Sequence, residues 1–312
     1  MAGEASPGEA REPTRAGYVA LVGRPNVGKS TLLNAILGEK LSIVTPKAQT
    51  TRDRIMGIDT TDRAQIVFVD TPGLLEPRYL LQESMLEAAL TATRESDVVL
   101  LLLDATRPEE TPPAATLEVL RSRRPALFVA INKADAAPAG AVEALARWSR
   151  QELDCEAFVI SALTGEGVAE LKERLIQALP VSEFLYPSDE IAVQPVRFFV
   201  AELIRETVFE EYREEIPYAT VVRIEEFREN TDPVYIRAVL YVEREGQKAI
   251  VIGRQGAGIK ALGQRAREKV EAFLGARVYL DLWVKVLPGW RRKAGVLRQF
   301  GYQVSDESAR SR

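Results

Sequence analysis

The stretch VGRPNVGKST, residues 22–31, restricts the fold of this chain more than any other segment. Tyr18 to Val22 is a short apolar run that ends in Gly23, and Thr31 to Leu37 continues with amphipathic spacing. Strand, glycine loop and helix therefore follow one another, as a phosphate-binding loop requires. Gly23, four intervening residues (Arg24, Pro25, Asn26, Val27), then Gly28, Lys29 and Ser30 complete the Walker A spacing, and Thr31 opens the helix. Glycines let the backbone wrap an anion so that several N–H groups point inward, at the positive end of the helix. The spacing assigns Lys29 to the β and γ phosphates and Ser30 to Mg²⁺.

Three more signals follow in order. FVDTPG puts Asp70 at the end of a strand over 65–69, where a carboxylate holds Mg²⁺ through water, followed by Thr71, Pro72, Gly73 and Leu74. Gly73 leaves a backbone N–H for the γ-phosphate. ALFVAINKAD sets Asn132, Lys133 and Asp135 after a buried strand, and Ser161, Ala162 and Leu163 close another. The Asp135 carboxylate can accept from both the ring N–H and the exocyclic amine of guanine, a pair adenine lacks. GTP and GDP are thus the expected ligands. Alternating strands and helices over 18–180 predict an α/β domain, a mostly parallel sheet with helices on both faces, its motifs just beyond the strand ends.

At 312 residues the chain suits two domains. A net charge of −4 hides an asymmetry, for residues 244–298 carry 13 Lys or Arg against 4 Asp or Glu. That window is basic by +9, which leaves −13 elsewhere, and a basic face is a better guide to partners than the average. Cys155 is the only cysteine, so no internal disulfide can form and a reducing compartment, the cytoplasm, is expected. VVLLLL at 98–103 is far too short to cross a bilayer, and the N-terminus lacks the apolar core of a secretory signal. The chain contains no histidine, hence no imidazole base. The expected organisation is a disordered tail at 1–15, a GTPase domain at 16–182, a linker at 183–195, a second domain at 196–302 and a tail at 303–312.

In the second half, residues 196–212 have helical spacing, 219–227 and 234–242 suit a strand hairpin, and 248–252 a short helix. Gly253-Arg254-Gln255-Gly256 follows. Ile259, Leu262, Ala266, Val270 and Phe273 then step along one helix face, and 277–287 alternates as a strand in which Trp283 is expected in the core. A dinucleotide loop is excluded because the glycines run G-x-x-G-x-G with no parallel βαβ unit around them. The order αββααβ with GxxG between the inner helices resembles an α+β KH domain of the prokaryotic type, type II. Such a loop brings backbone N–H groups and Arg254 close to the sugar-phosphate chain of single-stranded RNA. Gly253, Arg254, Gln255, Gly256 and Lys260 are the expected RNA contacts. Trp290, Arg291 and Arg292 either stack and pair with RNA or pack the domain end, and RNA is the favoured reading.

GRPNVGKS, QTTRD at 49–53, DTPG, NKAD and SAL together resemble the TrmE–Era group of translation-factor-related P-loop GTPases. The resemblance implies that Thr51, or its neighbour Thr50, closes over Mg²⁺ when GTP is bound, so Lys29, Thr51 and Gly73 stand nearest the chemistry. It also implies K⁺ binding at Asn26. Where Ras-like proteins carry a water-orienting glutamine the chain has Leu74, so slow intrinsic hydrolysis is expected. One GTPase domain followed by one KH domain, over about residues 16–302, further resembles the KH-bearing members of the group. That implies binding near the 3′ end of 16S rRNA, assembly of the small ribosomal subunit, loose association with the inner membrane, and a monomer. The alternative is a GTP-gated membrane or protein-interaction switch whose KH-like domain does not bind RNA.

Overall fold

The structure is a computed structural model and describes residues 13–45, 47, 49–122 and 126–304. The first half runs β1 (Arg15–Gly23), α1 (Lys29–Leu37), β2 (Ile55–Thr60), β3 (Ala64–Asp70), α2 (Leu80–Glu95), β4 (Val98–Asp104), α3 (Ala114–Ser122), β5 (Leu127–Asn132), α4 (Ala141–Leu153), β6 (Ala157–Val159) and α5 (Val168–Ala178). Its sheet has the order β2-β3-β1-β4-β5-β6. Only the edge strand β2 runs antiparallel.

Strands covered on both faces must be apolar on both, which accounts for the unbroken run in β4. Val98, Leu100 and Leu102 pack with Leu32 and Leu33 of α1 and with Leu171 and Leu175 of α5. Val99, Leu101 and Leu103 pack on the other side, with Ala89 of α2, Leu120 of α3 and Leu145 of α4. The segment 183–195 lies along β2. Ile58 donates its N–H to the Ile191 carbonyl at 2.9 Å, and Val193 donates to the Met56 carbonyl at 3.3 Å. It thereby covers a sheet edge that would otherwise be open. The expected tails lie outside the described residues except for 13–15, 303 and 304, of which Arg15 already belongs to β1.

The second half runs α6 (Val196–Glu211), α7 (Ile216–Ala219), β7 (Val221–Arg228), β8 (Val234–Val242), α8 (Glu245–Ile252), α9 (Ala257–Leu274), β9 (Val278–Val286) and α10 (Ala294–Gln299). In the sheet β7-β8-β9 the first pair is antiparallel and the second parallel. One face packs on α6, α8 and α9, with Leu262, Ala266 and Val270 buried among Val200, Ile204, Ala238 and Leu240. Phe273 departs from the expected apolar face of α9, being 39% exposed with its ring against Phe199.

Trp283 also departs from expectation, at 54% exposure. In β9 the inward set is Val278, Leu280, Leu282 and Val284, and Trp283 falls in the other phase with Tyr279 and Lys285. A period of two leaves it on the open face of the sheet.

Candidate active site

The glycine loop leaves β1 at Gly23 and enters α1 at Lys29. Gly28 has φ 100°, and a Cβ there would lie 2.3 Å from the Asn132 amide nitrogen. Asn132 therefore works as a brace. Its Nδ2 donates to the Val27 carbonyl at 2.8 Å, and its Oδ1 accepts the Ala162 N–H at 2.8 Å. One buried side chain thus joins the glycine loop to the SAL segment. Lys133, at φ 64°, reaches Asp104 at 2.6 Å. Asp135 is exposed in the turn Ala134–Ala136 that follows, and Leu163 is 79% exposed.

A cavity of about 340 Å³ opens above the loop. Pro25, Asn26, Gly28, Lys29, Ser30 and Thr31 line its floor, and Thr50, Thr51, Gly73 and Lys133 also border it. Burial pushes the Lys29 ammonium down to about 8, against the pull of Asp70. Its Nζ rests on the Gly23 and Arg24 carbonyls, at 3.2 and 3.1 Å. Polyphosphate oxygens would reverse that shift by supplying the negative charge that burial withholds.

Ser30 Oγ lies 3.0 Å from Thr51 Oγ1 and donates to Asp70 Oδ2 at 2.6 Å. Ser42 Oγ donates to the same oxygen at 3.0 Å. Asp70 is fully buried, and its other oxygen, Oδ1, has no hydrogen-bond partner. Desolvation raises its pKa, while Lys29 and the hydroxyls of Ser30, Ser42 and Thr51 oppose that rise. Two hydroxyls beside a buried carboxylate with one unsatisfied oxygen form an all-oxygen donor set that suits a hard divalent cation. Of the two threonines, Thr51 faces Ser30. The Thr50 hydroxyl instead meets Thr45 Oγ1 and the Lys47 carbonyl, both at 2.7 Å.

Several expected ligands act through shape. The Thr71 hydroxyl turns away, donating to the Leu21 carbonyl at 2.7 Å, and Val27 is buried in the core. Leu74 is wholly buried, and its N–H donates to the Gly23 carbonyl at 2.9 Å. Gly73 touches Pro25, with a Cβ there only 2.6 Å from the Pro25 nitrogen. The sequence reading missed Ile43, Val44, Thr45, Gln49 and Arg107 on the cavity wall. Only Gln49, inside QTTRD, stood in a motif that could have pointed to it.

The loop carrying Thr51 is also held by the second domain. Arg52 is buried and donates to the carbonyls of Thr220, Pro217 and Tyr218 at 2.7, 2.9 and 3.1 Å. Arg205 of α6 donates to the Thr50 carbonyl at 2.5 Å, and Lys47 reaches the Tyr212 carbonyl at 2.5 Å. Glu206 binds Lys40 from one domain and Lys269 from the other, each at 2.7 Å. Burial opposes its charge, yet the hydrogen bonds from Lys269 and Lys40 hold its carboxyl below the usual range. Leu80, Leu81 and Met85 of α2 pack with Val221, Trp290, Leu297 and Phe300.

Trp290 was expected on the RNA side, and the structure corrects this. It is 0% exposed, and its Nε1 donates to the Ala219 carbonyl at 2.8 Å. The chain buries the largest available ring where α2, α7 and α10 meet, so no face of the indole is open to a base. Arg291 pairs with Glu243 at 2.5 Å and lies over the Tyr79 ring, again in the seam between domains. Arg292 is exposed.

The GxxG turn itself stands out from the surface. Gly253 and Gly256 have φ 71° and 80°, Gln255 has φ 52°, and Arg254, Gln255 and Lys260 are exposed. The third glycine, Gly258, lets α9 approach α8, because a Cβ would lie 2.7 Å from the Val251 carbonyl.

Residues 18–133 match the family model described as a 50S ribosome-binding GTPase, and residues 215–291 match the KH domain model. GTPase Era of Carboxydothermus hydrogenoformans is 44% identical over 291 residues, which cover 92% of this chain and 98% of that one. GTPase Era of Geobacter metallireducens is 44% identical over 293 residues, with 93% and 98% covered. Two solved structures share the whole architecture. One is a single-residue variant of Aquifex aeolicus Era bound to GDP·AlF4⁻, with a TM-score of 0.86, 40% identity, and 93% of this chain and 100% of that one covered. The other is Era in complex with MgGDPNP and nucleotides 1506–1542 of 16S ribosomal RNA, with a TM-score of 0.86, 41% identity and the same coverage. Because the likeness extends over more than nine-tenths of the chain and takes in both halves, the chain belongs to the Era family of GTPases.

Proposed function

We propose that this GTPase is a switch that binds the 3′ region of 16S rRNA through its KH domain and assists assembly of the small ribosomal subunit, acting as a monomer. One observation carries the coupling. The loop whose Thr51 hydroxyl sits beside Ser30 is the loop whose Thr50 carbonyl and Arg52 side chain are held by the KH domain. A change at the γ-phosphate that moves Thr51 must therefore pull on α6 and α7. RNA that prefers the GTP-bound arrangement tightens GTP binding by the same factor. The exposed turn Arg254-Gln255, with Lys260 behind it, is the expected contact for the RNA backbone, joined by Arg292. Trp290 and Arg291 act from the seam. The relative crystallised with nucleotides 1506–1542 supports the choice of RNA.

The test is filter binding of an RNA of that sequence at two salt concentrations, with GTP analogue or GDP. RNA contact predicts affinity that falls steeply with salt. Arg254→Asp with Gln255→Asp should weaken binding about 100-fold and flatten the salt slope, with the thermal unfolding midpoint retained. Salt-independent binding untouched by these substitutions would favour a protein-interaction or membrane switch. No helix of the described residues is long and apolar enough to cross a membrane, so contact with the inner membrane would be peripheral.

Ser30, Thr51 and Asp70 would hold Mg²⁺, which supplies positive charge to the β and γ phosphates. Asn26, at φ 63° on the cavity floor, is the proposed K⁺ residue. If so, hydrolysis in KCl should exceed that in NaCl about tenfold at equal ionic strength, a modest share of what an arginine finger supplies. Equal rates would remove K⁺ from the reading.

A further inference from the structure

Leu74 occupies the place of the water-orienting glutamine, and its side chain is wholly buried in the core. Nothing on α2 replaces it directly. Another amide, however, borders the nucleotide cavity from the loop that carries Thr51. Gln49 stands immediately before Thr50 and Thr51, at φ 61°. It lines the nucleotide cavity with Lys29, Ser30, Thr51 and Gly73. It also lines a neighbouring groove of about 490 Å³ bordered by Arg24, Pro25, Leu74, Leu75 and Gln82. Pro25, like Gln49, borders both spaces, and Gly73 touches Pro25. Gln49 therefore stands at the outer end of the glycine loop, where the terminal phosphate belongs.

Hydrogen bonding settles which end of the Gln49 amide faces Gln82. The Arg78 backbone N–H can only donate, so Gln82 presents Oε1 to it, at 2.8 Å. The Nε2 of Gln82 is thereby aimed at Gln49 and donates to its Oε1 at 3.2 Å. The Tyr79 hydroxyl donates to the same oxygen at 3.4 Å. The Gln49 carbonyl is occupied by α2, while among the described residues no partner meets its Nε2. Gln82 is nearly buried, at 5% exposure, which keeps this relay in place.

We propose that Gln49 is a further catalytic residue, its Nε2 donating to the γ-phosphoryl oxygens as GTP is cleaved, with Gln82 as the positioning residue that orients it. In the reaction, the water oxygen bonds to the γ-phosphorus and the bond from that phosphorus to the β–γ bridging oxygen breaks. The electron pair leaves on GDP, and the water proton ends on inorganic phosphate. Gln49 gains and loses no proton. It serves as a preorganised neutral donor for charge that shifts during transfer. This inference rests on membership of the GTPase family and not on RNA binding, so the test omits RNA.

Gln49→Ala and the near-isosteric Gln49→Glu are assayed for hydrolysis at saturating GTP, for affinity toward a fluorescent GTP analogue, and for capture of GDP with AlF4⁻. Gln49→Glu keeps the side-chain shape but replaces the donor with a carboxylate, so it reads chemistry rather than folding. Both variants should lose about 100-fold in kcat. Analogue affinity should change far less, and GDP·AlF4⁻ capture should be lost. Gln82→Leu should cost about tenfold in kcat by releasing the amide. Wild-type kcat in Gln49→Glu would overturn the assignment. So would a loss confined to KM, which would make Gln49 a structural part of the loop.

Discussion

Asp135→Asn is expected to weaken GTP binding about 10³-fold and to shift the preference toward xanthine nucleotides. The reason lies in donor and acceptor counting. Guanine offers its N1–H and its exocyclic amine side by side, and a carboxylate accepts from both. Asparagine keeps one acceptor but sets an NH₂ donor against the amine, so two donors face each other with no acceptor between them. Xanthine carries a carbonyl at that position and restores the pair. Asp135 is well placed to act so directly, being exposed in the turn Ala134–Ala136 just after Lys133. Its neighbours serve the scaffold: Asn132 braces the glycine loop, and Lys133 is tied to Asp104. Competition of GTP and XTP against a fluorescent analogue reads the swap. Unchanged GTP affinity would mean that the base is recognised elsewhere.

Trp290→Ala is the second large effect, and it is one of stability. The indole is fully buried, donates to the Ala219 carbonyl at 2.8 Å, and packs edge-on against Phe300 at 5.7 Å. The Arg52 guanidinium lies 5.9 Å from its ring centroid. Removing a large buried ring costs roughly 4 kcal/mol, since the surroundings close the cavity only in part. For a domain of about 100 residues that lowers the unfolding midpoint by roughly 15–20 °C. Trp290→Phe keeps most of the packing and leaves the Ala219 carbonyl without its donor, for a loss of about 1–2 kcal/mol. Because Arg52 follows Thr51 directly, Trp290→Ala should also loosen the dependence of RNA affinity on the nucleotide. An unchanged midpoint with lost RNA affinity would instead restore Trp290 to the RNA surface.

These two residues mark how far the sequence could be followed. The exposed place of Asp135 was legible because its motif is contiguous and directly follows a strand. The same holds for Lys29 and Ser30, whose positions follow from a strand, a tight turn and a helix in succession. Thr50 and Thr51 were harder. Both are threonines in one loop, and only the 3.0 Å approach of Thr51 to Ser30 separates them. Trp290 was misread because its basic neighbours Arg291, Arg292 and Lys293 look like a nucleic-acid patch, whereas α2, far earlier in the chain and part of no motif, supplies the apolar wall that buries it. Trp283 was misplaced by phase alone, since its strand alternates but its neighbours had to show which phase is inward.

What the sequence determined by itself is what lies within a few consecutive residues: the glycine loop between β1 and α1, the turn that carries Asp135, the GxxG turn and the αββααβ order around it. Local hydrogen bonding and steric limits decide such features before the chain has packed. Tertiary structure alone decided that the Thr51 loop is gripped by Arg205 and lays Arg52 against Trp290, and that Gln49 meets Gln82. Those contacts join residues far apart along the chain, and no local pattern encodes which distant group will fill a given volume or satisfy a given carbonyl.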